Sequence, residues 1–341
     1  MNTRHSPLMD KCGPNFDIAY SIRRRIVVFN RRLTCTRGER QYLLYSQKIE
    51  NRYPKMGNAD YMQLTIPNYS YVFNFEKTYS YTNSLTWSRS HYPNCFLYCG
   101  IYAVIIFGGK HYMSNRPKFN LRSKLALWSA MLALFSIMGF LRTAPEMFHT
   151  LRHHGFYYSI CSPSYLTQDH VSGFWTFLFI LSKIAELGDT IFIVLRKQPL
   201  IFLHWYHHIT VLLYSWLCYI ETTATGRWYT VMNYFVHSWM YSYYALKAMQ
   251  FSPPKWVAML ITTLQLVQMV AGCAVTAMSH YYVASGRDDC HVQLYNAKLG
   301  MLMYISYFIL FSIFFKNSYL SGKHMKNVGK KDYANDKLKA N

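Results

Sequence analysis

The sequence predicts an all-α fold: a polytopic membrane protein with seven transmembrane helices. Three observations predict it. Of the 341 residues, 52% are hydrophobic and 15% charged, too few charges to cover a large soluble surface. Seven apolar stretches are long enough to span a bilayer, which takes about 20 helical residues. Basic residues gather at the ends of alternate stretches. The mean hydropathy of -0.02 is ordinary only because a basic N-terminal third and a lysine-rich tail dilute those stretches.

Residues 1–72 read as an N-terminal extension without chemistry, disordered or in part an artefact of the gene model. In residues 1–60 only Ile26 to Phe29 form a continuous apolar run, short of the roughly 7 to 15 residues of a signal-peptide core. Translation starting near Met56 or Met62 is an alternative for this region. The spans fall near 95–113, 124–141, 174–195, 200–220, 228–249, 256–278 and 295–315 within a domain of 73–315. The first is the weakest, because Gly108, Gly109 and Lys110 cut it short.

Loop charge orients the bundle. Lys110, Arg116, Lys118, Arg122 and Lys124 follow the first span, Arg196 and Lys197 the third, Lys247 and Lys255 the fifth, which puts these loops in the cytoplasm. Arg142 and Arg152, Arg227 with Glu221, and Arg287 beside Asp288 and Asp289 then lie on the lumenal side. The tail, 316–341, is basic and cytoplasmic, and seven spans leave the N-terminus lumenal. Asn68-Tyr69-Ser70 is a glycosylation sequon on that side. Lys337 and Lys339, three and five from the end, form a lysine retrieval signal for the endoplasmic-reticulum membrane. Lys and Arg exceed Asp and Glu by 36 to 15, yet no nucleic-acid motif accompanies them, so no nucleic acid is expected as partner.

Among the eight cysteines no pair has zinc-site spacing. Cys161 and Cys290 alone fall in the central lumenal loops, where an oxidising compartment permits a disulfide, and they are expected to pair.

Ionisable groups inside a membrane span are costly and normally face a protected interior. The third span holds Lys183, Glu186, Asp189 and Thr190, the fourth His204, His207 and His208. The fifth holds Asn233, His237, Tyr241 and Tyr244, the sixth Thr262, Gln265 and Gln268. Spacings of three and four make each cluster a stripe on one helical face. At a rise of about 1.5 Å per residue, His208 lies roughly 12 Å from the cytoplasmic end of its span, Asp189 roughly 9 Å, His237 roughly 15 Å and Gln265 roughly 14 Å. The helices therefore surround one polar site opening toward the cytoplasm.

A histidine box suggests two chemistries. One is metal ligation, as in di-iron desaturases and hydroxylases. The other histidines that cluster, His149, His153 and His154, fall about 30 Å away across the membrane, which disfavours it. The alternative is acyl transfer, with a neutral imidazole attacking a thioester. Cys218 is the nearest thiol, about 15 Å along its helix from His208, so a histidine nucleophile is preferred.

Lys183-Ile184-Ala185-Glu186-Leu187-Gly188-Asp189-Thr190, His204-Trp205-Tyr206-His207-His208, Asn233 with His237 and Met240-Tyr241-Ser242-Tyr243-Tyr244, and Thr262 with Gln265 and Gln268 resemble the ordered motifs of the ELO family of very-long-chain fatty acid elongases. The resemblance runs from about Phe73 to the tail. It implies seven helices, six of them an inverted barrel around an acyl-CoA tunnel. It implies condensation of a long-chain acyl-CoA with malonyl-CoA to a 3-oxoacyl-CoA two carbons longer, CO2 and coenzyme A, with no cofactor or metal. Implied partners are the 3-oxoacyl-CoA reductase, 3-hydroxyacyl-CoA dehydratase and enoyl-CoA reductase of the cycle, and homo- or hetero-oligomerisation with other elongases. Carried onto this chain, His207 is the acylated nucleophile, His237 with Asn233 stabilises the enolate or guides decarboxylation, and Asp189 and His204 or His208 orient and protonate the neighbouring imidazoles. Substrate contacts are expected from Lys183, Glu186, Thr190, Tyr241, Tyr244, Gln265, Gln268, Arg196, Lys197 and Lys255.

Overall fold

The computed structural model describes residues 67–287 and 289–320. The extension upstream of Pro67, Met56 and Met62 within it, and the retrieval lysines lie outside the described residues. The described residues contain helices and no strand. After the single turn α1 (Asn74–Lys77) come two long helices, α2 (Tyr81–Met113) and α3 (Arg122–His153). Two short helices, α4 (Gly155–Cys161) and α5 (Ser164–Thr167), precede α6 (His170–Glu186) and α7 (Gly188–Leu195), which abut at Leu187. α8 (Phe202–Ile220), α9 (Gly226–Ala248), α10 (Lys255–Ala284) and α11 (Leu294–Phe315) follow, and Lys316–Leu320 close the last with a π-helical turn.

Each of the seven apolar stretches is helical. Four helices are long and apolar enough to cross a membrane: α2, α3, α10, and α11 with its terminal turn. Their outer faces carry large apolar side chains in the open, with Val104 73% exposed, Leu134 65% and Leu302 67%. Exposed apolar surface on this scale fits a lipid-facing wall. The polar stripes sit instead on α6 to α10, turned inward.

Two helix starts have local causes. Asp169 Oδ1 accepts from the Val171 and Ser172 amides at 2.9 and 3.3 Å and so caps α6, and Ser80 Oγ accepts from the Asn83 amide to cap α2. Two boundaries correct the sequence reading. α2 begins at Tyr81 rather than near residue 95, because its polar first turns are held by tertiary contacts that hydropathy does not register. Arg89 donates twice to the Ile220 carbonyl at 3.2 and 3.1 Å, Tyr81 meets the Thr222 hydroxyl, and Trp87 packs on Trp216. α3 runs on past 141 to His153, through Pro145, because Glu146 and Thr150 are buried against Arg227 and each other.

α3 packs on α9, α9 on α10, α10 on α11, α11 on α8, α8 on α6, and α6 back on α3, closing a ring. α2 lies outside it, against α6, α7 and α8. A disulfide joins Cys161 to Cys290, tying the end of α4 to the segment before α11. The His291 amide donates to the Cys161 carbonyl beside it at 2.8 Å.

The end of the ring near α1 is closed by polar locks. Arg227, at the start of α9 and not in an open loop as its position among loop charges suggests, is fully buried. It donates to both Glu146 oxygens at 2.8 and 3.0 Å, to Ser164 Oγ, and to the Ser159 and Ser162 carbonyls. Glu76 of α1 is likewise buried, taking two donors from Arg142, one from Trp175 Nε1 and one from the Phe73 amide. Burial alone would raise the Glu76 carboxyl, but these hydrogen bonds outweigh it and hold it below the ordinary carboxylate value. Tyr69 donates to Asp169, so residues before 73 belong to this lock rather than to the extension. Asn68 beside it is exposed.

Candidate active site

His204, His207 and His208 occupy one turn of α8, and their rings cluster: centroids of His204 and His208 lie 4.5 Å apart, those of His207 and His208 5.5 Å. His204 Nε2 is 3.0 Å from the Thr190 hydroxyl, which also meets Tyr102 OH at 2.7 Å. His207 packs on the Tyr307 ring at 4.9 Å. Its carbonyl accepts from Tyr307 OH at 3.4 Å and from Thr210 Oγ1 at 3.3 Å, which fixes the ring's starting point on the helix. His208 Nδ1 is buried without a hydrogen-bond partner among the described residues.

Opposite stand α6, α7 and α9. Lys183 Nζ donates to Glu186 Oε1 at 2.7 Å, one turn along α6, and to Asn233 Oδ1 of α9 at 2.9 Å. Asn233 Nδ2 is 3.1 Å from His237 Nε2, one turn along α9, and His237 Nδ1 is 3.9 Å from Glu186 Oε1. Asp189 of α7 takes Trp128 Nε1 on one oxygen at 2.6 Å and Tyr241 OH on the other at 2.7 Å. From α10, Gln265 Nε2 reaches Met240 Sδ at 3.4 Å, and Thr262 Oγ1 lies 3.2 Å from Tyr319 OH.

These groups surround a cavity of about 640 Å³. His204, His207, His208, Asn233, His237, Asp189, Tyr241, Tyr244, Thr262, Gln265 and Gln268 all line it. A narrow void of about 50 Å³ shares His207, Asn233, Gln268 and Met269 with it and continues among Tyr214, Tyr304, Tyr165 and Cys218. His207 thus stands at the junction of a wide chamber and a tight aromatic extension, and the other histidines line the chamber.

Five of the residues expected to contact substrate do not line the cavity. Lys183 and Glu186 do not line the cavity, because they are spent on each other behind Asn233 and His237. Thr190 is enclosed between Tyr102 and His204. Lys197 donates to the Ser114 and Arg116 carbonyls at 3.0 and 3.1 Å, and Lys255, the first residue of α10, is also absent from the wall. Arg196 and Lys247 do line it, joined by Arg122, which spacing did not single out. Trp128 and Tyr307 were also missed, since each reaches the site from a helix whose sequence carries no polar stripe.

No three or more His, Cys, Asp or Glu among the described residues are arranged to hold one metal ion. His149 and His153 pair at 4.4 Å between ring centroids, but at the other end of the ring. The desaturase reading therefore finds no support.

The sequence model described as the ELO: GNS1/SUR4 family matches residues 87–327. The chain is 56% identical over 256 residues to the very long chain fatty acid elongase 6 of Drosophila melanogaster, covering 75% of this chain and 81% of that protein. It is 48% identical to the Gallus gallus protein of the same description, covering 74% and 94%, and 47% identical to the Homo sapiens one, covering 75% and 95%.

Proposed function

The chain belongs to the ELO (GNS1/SUR4) family, and from that membership we propose that it is a very-long-chain 3-oxoacyl-CoA synthase, an acyltransferase that condenses a long-chain acyl-CoA with malonyl-CoA in the first step of fatty acid elongation. The observation that carries the proposal is that His207 and Asn233 stand at the junction between a wide polar chamber, which His237 also lines, and a narrow aromatic extension. The extension suits an acyl chain. The chamber, with Arg122, Arg196 and Lys247 on its wall, suits the phosphates of coenzyme A.

In the first half-reaction an imidazole nitrogen of His207 attacks the thioester carbonyl, the C–S bond breaks, and the coenzyme A thiolate takes the proton that the imidazole gives up. Malonyl-CoA then loses its carboxylate as CO2, and the electron pair left behind becomes an enolate. The enolate carbon attacks the acyl carbonyl, the C–N bond to His207 breaks, and the imidazolate left behind takes a proton from solvent, the one proton the overall reaction consumes. Asn233 stabilises the enolate oxygen through its amide and His237 guides the decarboxylation, while Asp189, His204 and His208 orient the neighbouring rings. Loss of CO2 drives the sequence, and no cofactor or metal enters it.

All seven helical stretches cross the endoplasmic-reticulum membrane in this reading, with an inverted barrel of six, the N-terminus lumenal and the C-terminus cytoplasmic. Asn68 then faces the lumen for glycosylation. A reductase, a dehydratase and a second reductase take up the product. The test is to incubate the purified full-length chain in lipid with palmitoyl-CoA and malonyl-CoA. The 3-oxoacyl-CoA two carbons longer is expected with one CO2 per product, and hydrolysis of either substrate without condensation overturns the proposal.

A further inference from the structure

Lys183 and Glu186 lie behind the cavity wall, yet Lys183 touches one of the residues that form it. An ammonium has three donors and no acceptor, so the Asn233 atom facing Lys183 Nζ at 2.9 Å has to be the carbonyl oxygen. The other end of the amide, a donor, then faces His237 Nε2 at 3.1 Å. A proton on Nε2 would set two donors against each other, so Nε2 presents its lone pair and the ring proton sits on Nδ1. Nδ1 lies 3.9 Å from Glu186 Oε1, beyond hydrogen-bond distance, and that oxygen accepts from Lys183 and from Ser182 Oγ. Lys183 thus fixes the Asn233 amide and the amide fixes the His237 tautomer, with the Glu186 carboxylate on the Nδ1 side of the ring.

We propose that Lys183 is a positioning residue: through the Asn233 amide it fixes His237 as the Nδ1–H tautomer, with the Glu186 carboxylate holding Lys183 in place behind it. The inference rests on the condensation proposed above for its kinetic consequence, but not for its structural content. Asn233 has a second amide hydrogen, not used by His237, and the residue lines both the chamber and the narrow void. With its orientation locked, that hydrogen is available to a developing oxyanion, and His237 Nε2 is held as an acceptor. The pair is thereby set before substrate enters, which is what an electrostatic catalyst needs. A buried ion pair alone would give charge balance to Lys183 and Glu186 but would not explain the second contact of Lys183, to Asn233.

The test uses the full chain in lipid, labelled with 13C and 15N histidine. The His237 signals are assigned by their loss in His237→Gln. The Nδ1–H tautomer is expected in the unaltered chain. In Asn233→Asp, a near-isosteric change that still accepts from Lys183, the donor to Nε2 is gone and the proton is expected to move to Nε2. An Nε2–H tautomer in the unaltered chain, or no change in Asn233→Asp, overturns the inference whether or not condensation occurs. Kinetics supply the second arm. Lys183→Met is expected to lower kcat roughly 100-fold with the KM for malonyl-CoA changed by less than about threefold. The doubly altered Lys183→Met, Glu186→Gln chain restores charge balance and is expected to remain as slow. Recovery of turnover in the double variant would reduce Lys183 to a counter-ion and refute its positioning role.

Discussion

Tyr241 and Trp128 donate to opposite oxygens of Asp189, so the carboxylate is held from two helices at once. Asp189→Asn keeps the shape but turns an amide donor toward one of these donors. The change is expected to lower thermal stability by about 1–3 kcal/mol, measured as the shift in melting temperature, because one buried donor loses its acceptor. At the mouth, Arg122→Ala combined with Arg196→Ala removes two wall cations and leaves the histidines untouched. A rise of roughly tenfold in the KM for acyl-CoA with kcat nearly unchanged is expected, and an equal fall in kcat would assign these arginines to the reaction itself. Residue types were legible in the sequence wherever a stripe at three- and four-residue spacing exposed them, as with His204, His207 and His208. Partners were not. Nothing near Lys183 in sequence says that it reaches Asn233, fifty positions on, rather than a ligand.

α1 is a single turn, yet its Glu76 gathers donors from α3, α6 and the strap before it. Because the folded carboxyl is held below its unfolded value, its contribution to stability is present above the unfolded pKa and is lost as pH falls through the folded one. Glu76→Gln is expected to cost about 3 kcal/mol at neutral pH, since Arg142 is left without its partner. The gap in melting temperature between the two proteins should close on acidification below the ordinary carboxylate range. A gap that widens there would reverse the assigned sign. Helix existence was readable from hydropathy for all seven stretches, but the beginning of α2 was not. Thr82, Asn83, Ser84, Thr86 and Ser88 contain no apolar run, and only contacts to α8 and to the turn after it explain why they are helical. The break between α6 and α7 at Leu187 was equally hidden, because Lys183 to Thr190 reads as one continuous stripe.

Across the described residues the outer helix faces expose large apolar side chains, while the polar stripes turn to a cavity within a largely apolar core. The apolar exterior was legible from composition, and the gathering of the stripes from their spacing and depth. The shape of the site was not. The narrow void is set by Tyr214 and Tyr304, which pack where Gly300 and Gly272 leave no side chain in the way. No periodicity announces such a pairing. If an acyl chain occupies this void, Tyr304→Ala should lengthen the product profile by about one two-carbon step or more, read by chromatography of the products, because removing the ring opens room that a longer chain can fill.

In the proposed mechanism His207 carries the acyl group between two half-reactions, and intact-protein mass spectrometry after incubation with palmitoyl-CoA alone reads that intermediate. A mass increase of one palmitoyl group is expected, discharged on adding malonyl-CoA and absent in His207→Ala. A protein that turns over both substrates without ever gaining that mass, or a His207→Ala variant that still becomes acylated, would contradict it.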